Sequence, residues 1–126
     1  MPLITFTLLK GQPAVMKTKL GDAVSLALEK AGISKADRFQ RFLELDKENF
    51  NYDLHYPDLA EPRTDRFVLI EILFSVGRSV KIKQKILNDL LEYLRAAGIS
   101  SNDVMVSFQE TAWENWSFAN GLILHK

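Results

Sequence analysis

The sequence predicts an α+β fold of two βαβ units in tandem, with four strands in one sheet and two helices on one face of that sheet. Two observations indicate this fold. The strand–helix–strand pattern occurs twice, and the second copy matches the first without a gap at an offset of 66 residues. A strand joined to the next one through a single helix normally pairs with it in parallel, with a right-handed crossover.

The internal repeat is clearest in a tetrapeptide, because AGIS occurs at 31–34 and again at 97–100. The same offset pairs identical residues along both halves of the chain: Gly11 with Gly77, Lys17 with Lys83, Leu28 with Leu94, Asp37 with Asp103, Phe42 with Phe108 and Glu44 with Glu110. We therefore divide a single domain at 1–126 into repeats at 3–44 and 69–110, a polar connection at 46–65 and a C-terminal tail at 111–126.

The first strand of each copy alternates between apolar and more polar residues, as a half-buried strand does. Thr5 and Glu71 are among the polar positions. The apolar face is formed by Ile4, Phe6 and Leu8 in the first copy and by Ile70, Ile72 and Phe74 in the second. The second strands are predicted at about 38–45 and 104–109.

Each helix is predicted from a start signal, a helical spacing of apolar residues and a stop signal. Pro13 and Ser79 are the start signals, and Gly32 and Gly98 end the helices. The apolar positions are Met16, Leu20, Val24, Ala27 and Ala31 in the first helix, and Ile82, Ile86, Leu90, Leu94 and Ala97 in the second.

The face of the sheet without helices keeps Leu3, Leu69 and Leu73 among polar residues. A half-apolar face of this kind commonly packs against another subunit, so an oligomer is expected. The residues leave the strand order open between a ferredoxin-like interleaved sheet and two antiparallel βαβ units that are related by a pseudo-twofold axis.

Composition narrows the class of partner. The 16 basic and 16 acidic residues cancel, which argues against nucleic acid or an anionic membrane surface and favours a small molecule. There is no cysteine, and His55 and His125 are the two histidines, so no metal site is expected. No apolar run approaches the roughly 18 residues of a membrane span. We expect a soluble, cytoplasmic protein.

Pro2 stands where the first strand begins, a position that proline tolerates because the first residue need not donate to the ladder. If Met1 is removed, however, Pro2 carries a secondary amine that can exchange a proton near neutral pH. Neighbouring parallel strands lie about 4.8 Å apart, which places Asp37, at the start of the second strand, beside Pro2. A turn-capping role would also explain Asp37, since Asp103 occupies the equivalent position.

An antiparallel arrangement of the two units brings further chemistry to the same edge. The third strand would end there with Arg78 and the helix start at Ser79, and the fourth would deliver the tail with Trp116 and Phe118. A cation beside a helix N-terminus is disfavoured by the helix dipole, so Arg78 suggests an anion held by the guanidinium together with backbone amides. Core or subunit contacts are the alternative for the two aromatic residues.

The repeat supplies an internal comparison for this site. The equivalent of Pro2 is Val68, which lies in mid-chain and has no amine, and Gln12 stands in the place of Arg78. The sequence therefore predicts chemistry at one end of the protomer only.

The residues at that end resemble the tautomerase superfamily, and more closely its malonate semialdehyde decarboxylase group. The resemblance spans nearly the whole chain and is carried by MPL at the start, ADRFQ around Asp37, GRS around Arg78 and NWSFANG at 115–121. It implies the tautomerase fold, a homotrimer and catalysis without a cofactor. The decarboxylase pattern has two arginines in the GRS turn, and Val76 stands in place of the first.

By this resemblance Pro2 is the acid or base, Asp37 polarises the site or positions water, and Arg78 holds a substrate carboxylate. Trp116 and Phe118 form an apolar wall, and Ser79 adds to substrate binding. The expected reaction is enol–keto tautomerisation of a small 2-oxo or 3-oxo acid, favoured by the single arginine, with decarboxylation, hydration and dehalogenation as relatives within the superfamily. The competing class is a non-enzymatic, ferredoxin-like ligand-binding or scaffold domain.

Overall fold

The regular elements follow the alternating and helical patterns of the sequence. In the computed structural model, which describes residues 2–123, six main elements appear in the order β1 (Leu3–Leu9), α1 (Ala14–Lys30), β2 (Phe39–Leu45), β3 (Val68–Ser75), α2 (Val80–Ala96) and β4 (Val104–Thr111). Short 3-10 turns at Lys47–Asn49, Ser101–Asp103 and Trp113–Asn115 lie between or after them. Within 2–123, neither helix is long and apolar enough to cross a bilayer. Met1 and His125 lie outside the described residues.

The sheet has the strand order β2-β1-β3-β4. The strands of each βαβ unit are parallel neighbours, and the two units meet through the antiparallel pair β1 and β3. In an interleaved sheet the two strands of one unit would be separated, so this order excludes the ferredoxin-like alternative. The antiparallel units with a pseudo-twofold relation between them are the arrangement that the chain adopts.

The two helices occupy equivalent positions in the repeat, and both start as predicted. Pro13 and Ser79 are the N-cap residues, and the Ser79 hydroxyl accepts a hydrogen bond of 3.2 Å from the Ile82 amide. Gly32 and Gly98 follow the helix ends with φ of +93° and +86°, a backbone conformation that glycine adopts without steric cost. The predicted last apolar positions, Ala31 and Ala97, are C-caps and lie just outside the helices.

The core lies between the helices and the inner face of the sheet. Residues of this core are almost fully buried, among them Ile4, Phe6, Ile70, Ile72, Leu20 and Leu90. The other face, which we call the open face, carries the apolar residues Leu3, Phe39, Leu43, Leu69, Leu73 and Met105. Phe39, Leu43 and Met105 are 45–51% exposed in the single chain. Apolar surface of this kind is what a second subunit would cover.

One predicted boundary differs from the structure. The fourth strand was expected to end near Gln109, but β4 continues to Thr111, which pairs with Ser75 at the end of β3. Pairing continues because β3 itself runs on to Ser75, and a strand end is decided by its partner rather than by its own apolar pattern. The amide of Val76 then donates to the Thr111 carbonyl at 2.9 Å and closes the ladder.

Candidate active site

The start of β1, the end of β3 and the end of β4 lie at one end of the sheet. Leu3 is in register with Phe39 of the parallel strand β2 and with Leu73 of the antiparallel strand β3. The ladder between β3 and β4 ends at Ser75 and Thr111. We call this the Pro2 end of the molecule, and the opposite end, where β3 begins, the Val68 end.

Pro2 and Asp37 share one cavity at the Pro2 end. Pro2 is buried, and the cavity is lined by Asp37 and Phe39 as well as by residues of α1. Asp37 is held by a tight turn, in which its amide donates to the Ser34 carbonyl at 3.0 Å. The structure therefore brings together the two residues that the parallel pairing of β1 and β2 predicted to be neighbours.

Arg78 folds back over the end of β3. Its guanidinium carbon lies 4.6 Å from the centroid of the Phe74 ring, and its Nη1 donates to the Ser75 carbonyl at 3.1 Å. Burial lowers the pKa of Arg78, whereas the carboxylates of Glu110 and Asp37 act in the opposite direction. Both carboxylates therefore act electrostatically on the guanidinium, and one of them, Asp37, also lines the cavity of Pro2.

The turn before α2 sets the place of Arg78. Gly77 adopts a φ of +117°, so the chain can reverse between β3 and the helix. The hydroxyl of Ser79 caps α2, and Arg78 stands directly before this cap at the positive end of the helix dipole. The first amides of α2 therefore follow Arg78 directly in the chain, an arrangement that suits an anion site.

The C-terminal tail closes the Pro2 end with aromatic rings. Trp116 and Phe118 stack with a centroid distance of 5.8 Å and an interplanar angle of 2°, and Phe118 contacts Phe39 at 5.7 Å. Because Phe39 begins β2 and the tail leaves β4, the tail spans from one edge strand to the other. The Trp116 indole Nε1 is buried and has no hydrogen-bond partner among residues 2–123. Buried donors in proteins are normally hydrogen-bonded, so an acceptor from outside these residues would suit it.

Sequence reasoning missed three residues that build this end. Phe39 contacts the tail, Phe74 packs under the Arg78 guanidinium, and Glu110 acts on that guanidinium electrostatically. Phe39 and Phe74 look like ordinary strand residues in the sequence. The sequence did contain a signal for Glu110. This residue repeats Glu44, but Arg78, at the same end of the sheet, is replaced by Gln12 in the first copy.

The Val68 end has the same backbone plan but is filled by the connection between the two units. Asp103, the equivalent of Asp37, accepts hydrogen bonds of 2.7 Å from the amide and the hydroxyl of Thr64. Gln12, the equivalent of Arg78, donates to the Asp65 carbonyl at 2.7 Å. Phe67, directly before Val68, is 3% exposed, and its ring contacts those of Phe50 and Tyr52.

Comparison with known proteins assigns the chain to a family. Residues 37–119 match the family described as tautomerase enzyme. The chain is also 31% identical over 123 residues to a probable tautomerase, YrdN, of Bacillus subtilis (strain 168), an alignment that covers 96% of this chain and 93% of the relative. The chain belongs to the tautomerase family. It is therefore an enzyme of that family rather than a scaffold domain. The region matched to the family contains Asp37, Arg78 and both tail aromatics, but not Pro2.

Solved structures place this tautomerase-family chain near two decarboxylases. The FG41 malonate semialdehyde decarboxylase, solved after inhibition by 3-bromopropiolate, superposes with a TM-score of 0.87 at 27% identity, covering 96% of this chain and 92% of the other. A malonate semialdehyde decarboxylase studied for its decarboxylase and hydratase activities has a TM-score of 0.86 at 28% identity, covering 96% and 93%. The predicted relation to the malonate semialdehyde decarboxylase group is confirmed.

Proposed function

We propose that this enzyme transfers a proton at the carbon next to the carbonyl group of a small 2-oxo or 3-oxo carboxylic acid, with the nitrogen of Pro2 as the acid or base. The amine becomes available when Met1 is removed. The observation that carries the proposal is the joint position of Pro2, Asp37 and Arg78 at one end of the sheet, with Pro2 and Asp37 in one cavity.

Arg78 is proposed to hold the substrate carboxylate. A guanidinium has five N–H donors and remains charged, and a partly buried one binds a carboxylate more strongly than an exposed one. One donor of the guanidinium, at Nη1, is used in the hydrogen bond to the Ser75 carbonyl, and this bond orients the guanidinium. The backbone amides after Ser79 lie at the start of α2 and add a second source of positive potential.

The protonation state of Pro2 decides which reaction the site performs. An α-amino group titrates near pH 8, and burial together with the positive charge of Arg78 would lower the pKa of the Pro2 amine, whereas Asp37 would raise it. In the neutral form, Pro2 removes a proton from the carbon next to the carbonyl; delivery of that proton to the carbonyl oxygen gives the enol, and the reverse transfer restores the keto form. In the protonated form it donates a proton to a developing carbanion.

The aromatic tail is proposed to exclude water from this proton transfer. Trp116, Phe118 and Phe39 form the apolar wall, and a water-poor site strengthens the interactions among the amine, the carboxylate of Asp37 and the guanidinium. The buried indole N–H of Trp116 is the donor that a substrate oxygen would satisfy.

Decarboxylation of a 3-oxo acid is the second candidate, and the similarity to the two decarboxylases supports it. Val76 weighs against it, because this residue, 43% exposed in the turn before Arg78, stands where the decarboxylase pattern has another arginine. A site with one arginine suits tautomerisation better, since this reaction releases no CO2 and needs one cation to hold the substrate carboxylate.

The proposed enzyme is a homotrimer whose subunits pack through their open faces. The exposed apolar residues Leu43 and Met105 support this assembly, since they lie on a face that no helix of the same chain covers. Sedimentation at micromolar concentration is expected to report three chains. Leu43→Glu places a charge in the interface and should shift the equilibrium toward monomers, and a wild-type monomer at that concentration would contradict the assembly.

The decisive experiment combines intact mass with kinetics. Purified protein is expected to lack Met1, to isomerise at least one member of a panel of 2-oxo and 3-oxo acids, and to form a covalent adduct with 3-bromopropiolate on its N-terminal peptide. Pro2→Ala should remove most of the turnover while the protein stays folded. A processed protein that neither turns over any of these acids nor reacts at its N-terminus would overturn the proposal.

A further inference from the structure

A second cation and a carboxylate form an ion pair at the Pro2 end of the molecule. Lys83, in the first turn of α2, places its Nζ 2.6 Å from Oε1 of Glu110, near the end of β4. Both side chains are largely withdrawn from solvent, with 25% and 30% exposed. The pair fixes the position of the Glu110 carboxylate on the helix side of the sheet.

The same carboxylate acts electrostatically on the guanidinium of Arg78. Glu110 is in register with Phe74 of the neighbouring strand, and the guanidinium lies over the Phe74 ring at 4.6 Å. Neighbouring strands lie about 4.8 Å apart, so two residues in register on the same face start close together. In agreement with this position, Glu110 opposes the lowering of the Arg78 pKa more strongly than Asp37 does.

We propose that Glu110, held by Lys83, makes the anion site at Arg78 prefer substrates with one carboxylate over substrates with two. This inference rests on the proposed function, in which Arg78 binds a substrate carboxylate, and it adds the substrate class.

The physical reason is the local charge. Arg78, Lys83 and Glu110 together carry one positive charge, which a single carboxylate neutralises. A second carboxylate on the same small substrate would add negative charge near Glu110 and Asp37, and like charges repel one another. Neutralising Glu110 should therefore strengthen the binding of every anion, and that of dianions most.

The repeat provides a matched control for the ion pair itself. Lys17 and Glu44 form the equivalent pair at the Val68 end, where the neighbouring position is held by Gln12 in place of Arg78. A purely structural role for the pair predicts the same result at both ends of the molecule. A role in anion selection predicts an effect at Glu110 only.

The test is a titration followed by NMR at pH 7.5 with acetate, a monoanion, and malonate, a dianion at this pH. The amides at 76–80 report on the anion site, and binding does not require the Pro2 amine to react. For Glu110→Gln we expect the dissociation constant of acetate to fall about three-fold and that of malonate about six-fold, from the loss of one unit charge at about 8 Å in a medium of high effective dielectric constant. Glu44→Gln should leave both constants unchanged.

A second variant should change the anion affinity in the opposite direction. Lys83→Met removes a positive charge and should weaken malonate more than acetate, while Lys17→Met should change neither. The ratio of the acetate and malonate dissociation constants distinguishes the two roles of the ion pair. A structural role would lower the melting temperature without changing that ratio. Unchanged selectivity in both folded variants, or in Lys83→Met alone if Glu110→Gln fails to fold, would overturn this inference alone. Absence of binding in the wild type would contradict the anion site, and with it the proposed function.

Discussion

The Pro2 end and the Val68 end of this molecule share one backbone plan but differ in what covers them. At the Val68 end the connection inserts Thr64, so that Asp103 is occupied by hydrogen bonds from its own chain, and Phe67 is buried directly before Val68. At the Pro2 end Asp37 shares a cavity with the start of the chain, and a guanidinium stands close by. The repeated fold supplies equivalent positions at both ends of the sheet, whereas the unrepeated segments decide which end has access to a ligand.

Among the substitutions, the largest effect is expected at Pro2, the residue that differs most between the two ends. Pro2→Ala replaces a secondary amine by a primary one with different basicity and geometry, and turnover should fall on the order of 100-fold. Steady-state kinetics with the best substrate of the panel measures this change. Val68→Ala is the matched substitution at the other end, and it should lower stability through lost packing while catalysis by the folded protein persists.

Retention of Met1 should be harsher than any substitution of Pro2, because an amide nitrogen does not titrate in the physiological range. Protein prepared with Met1 uncleaved is expected to show no measurable turnover, and mass spectrometry of the same sample verifies its N-terminus. Equal rates for the processed and unprocessed forms would mean that Pro2 only begins a strand.

The next effect is expected at Arg78. Arg78→Ala removes a charge-assisted contact to the substrate carboxylate, and kcat/KM should fall by about 2 kcal/mol, or roughly 30-fold, with at least half of the loss in KM. Gln12→Ala is the control at the equivalent position and should leave kcat/KM unchanged. A loss confined to kcat would instead assign Arg78 to the transition state alone.

The two aspartates should separate activity from stability. If the Asp37 carboxylate favours the protonated amine, it raises the pKa of Pro2, so Asp37→Asn should move the pH limb for deprotonation of Pro2 to lower pH. Asp103→Asn should leave the pH profile in place and reduce the free energy of unfolding by about 1–3 kcal/mol, because it weakens the buried bonds to Thr64. A profile that moves in both variants, or in neither, would remove the distinction between the ends.

The smallest effect is expected at the contact between the tail and β2. Phe39→Ala removes the ring that Phe118 contacts, and it should loosen the apolar wall and lower kcat/KM about ten-fold at most, with little change in the pH profile. Leu45→Ala, at the other end of the same strand, is the control for a general loss of packing in β2. Equal losses of activity in both variants would argue that the wall has no part in catalysis.

The sequence predicted the elements of the fold well because their signals are local. Alternating apolar residues placed β1 and β3, and Pro13 and Ser79 marked the helix starts by chemistry that acts within one turn. The end of β4 was predicted too early, since Thr111 is in the strand only because Ser75 offers it a partner. Pairing between strands depends on residues far away in the chain, and no local pattern reports it.

The candidate site, like the fold, has features that the sequence predicts and features that it does not. Pro2, Asp37 and Arg78 could be named from the sequence because a terminal nitrogen, a turn carboxylate and an arginine before a helix are chemically distinctive, and the repeat showed which of them lack a counterpart. Their roles stay predictions until the variants are measured. The sequence also determined that one end alone can offer an amine, because Val68 lies within the chain.

The surroundings of these groups depend on how the strands and the tail pack in three dimensions. The strand order sets the two units antiparallel, so that the end of β3 meets the start of β1. The contact of Phe118 with Phe39 and the electrostatic effect of Glu110 on Arg78 follow from that order and from the course of the tail. The physical reason is the separation of the interacting residues along the chain. Helix capping and strand alternation depend on residues a few positions apart, whereas the surroundings of a charge depend on every element that packs around it.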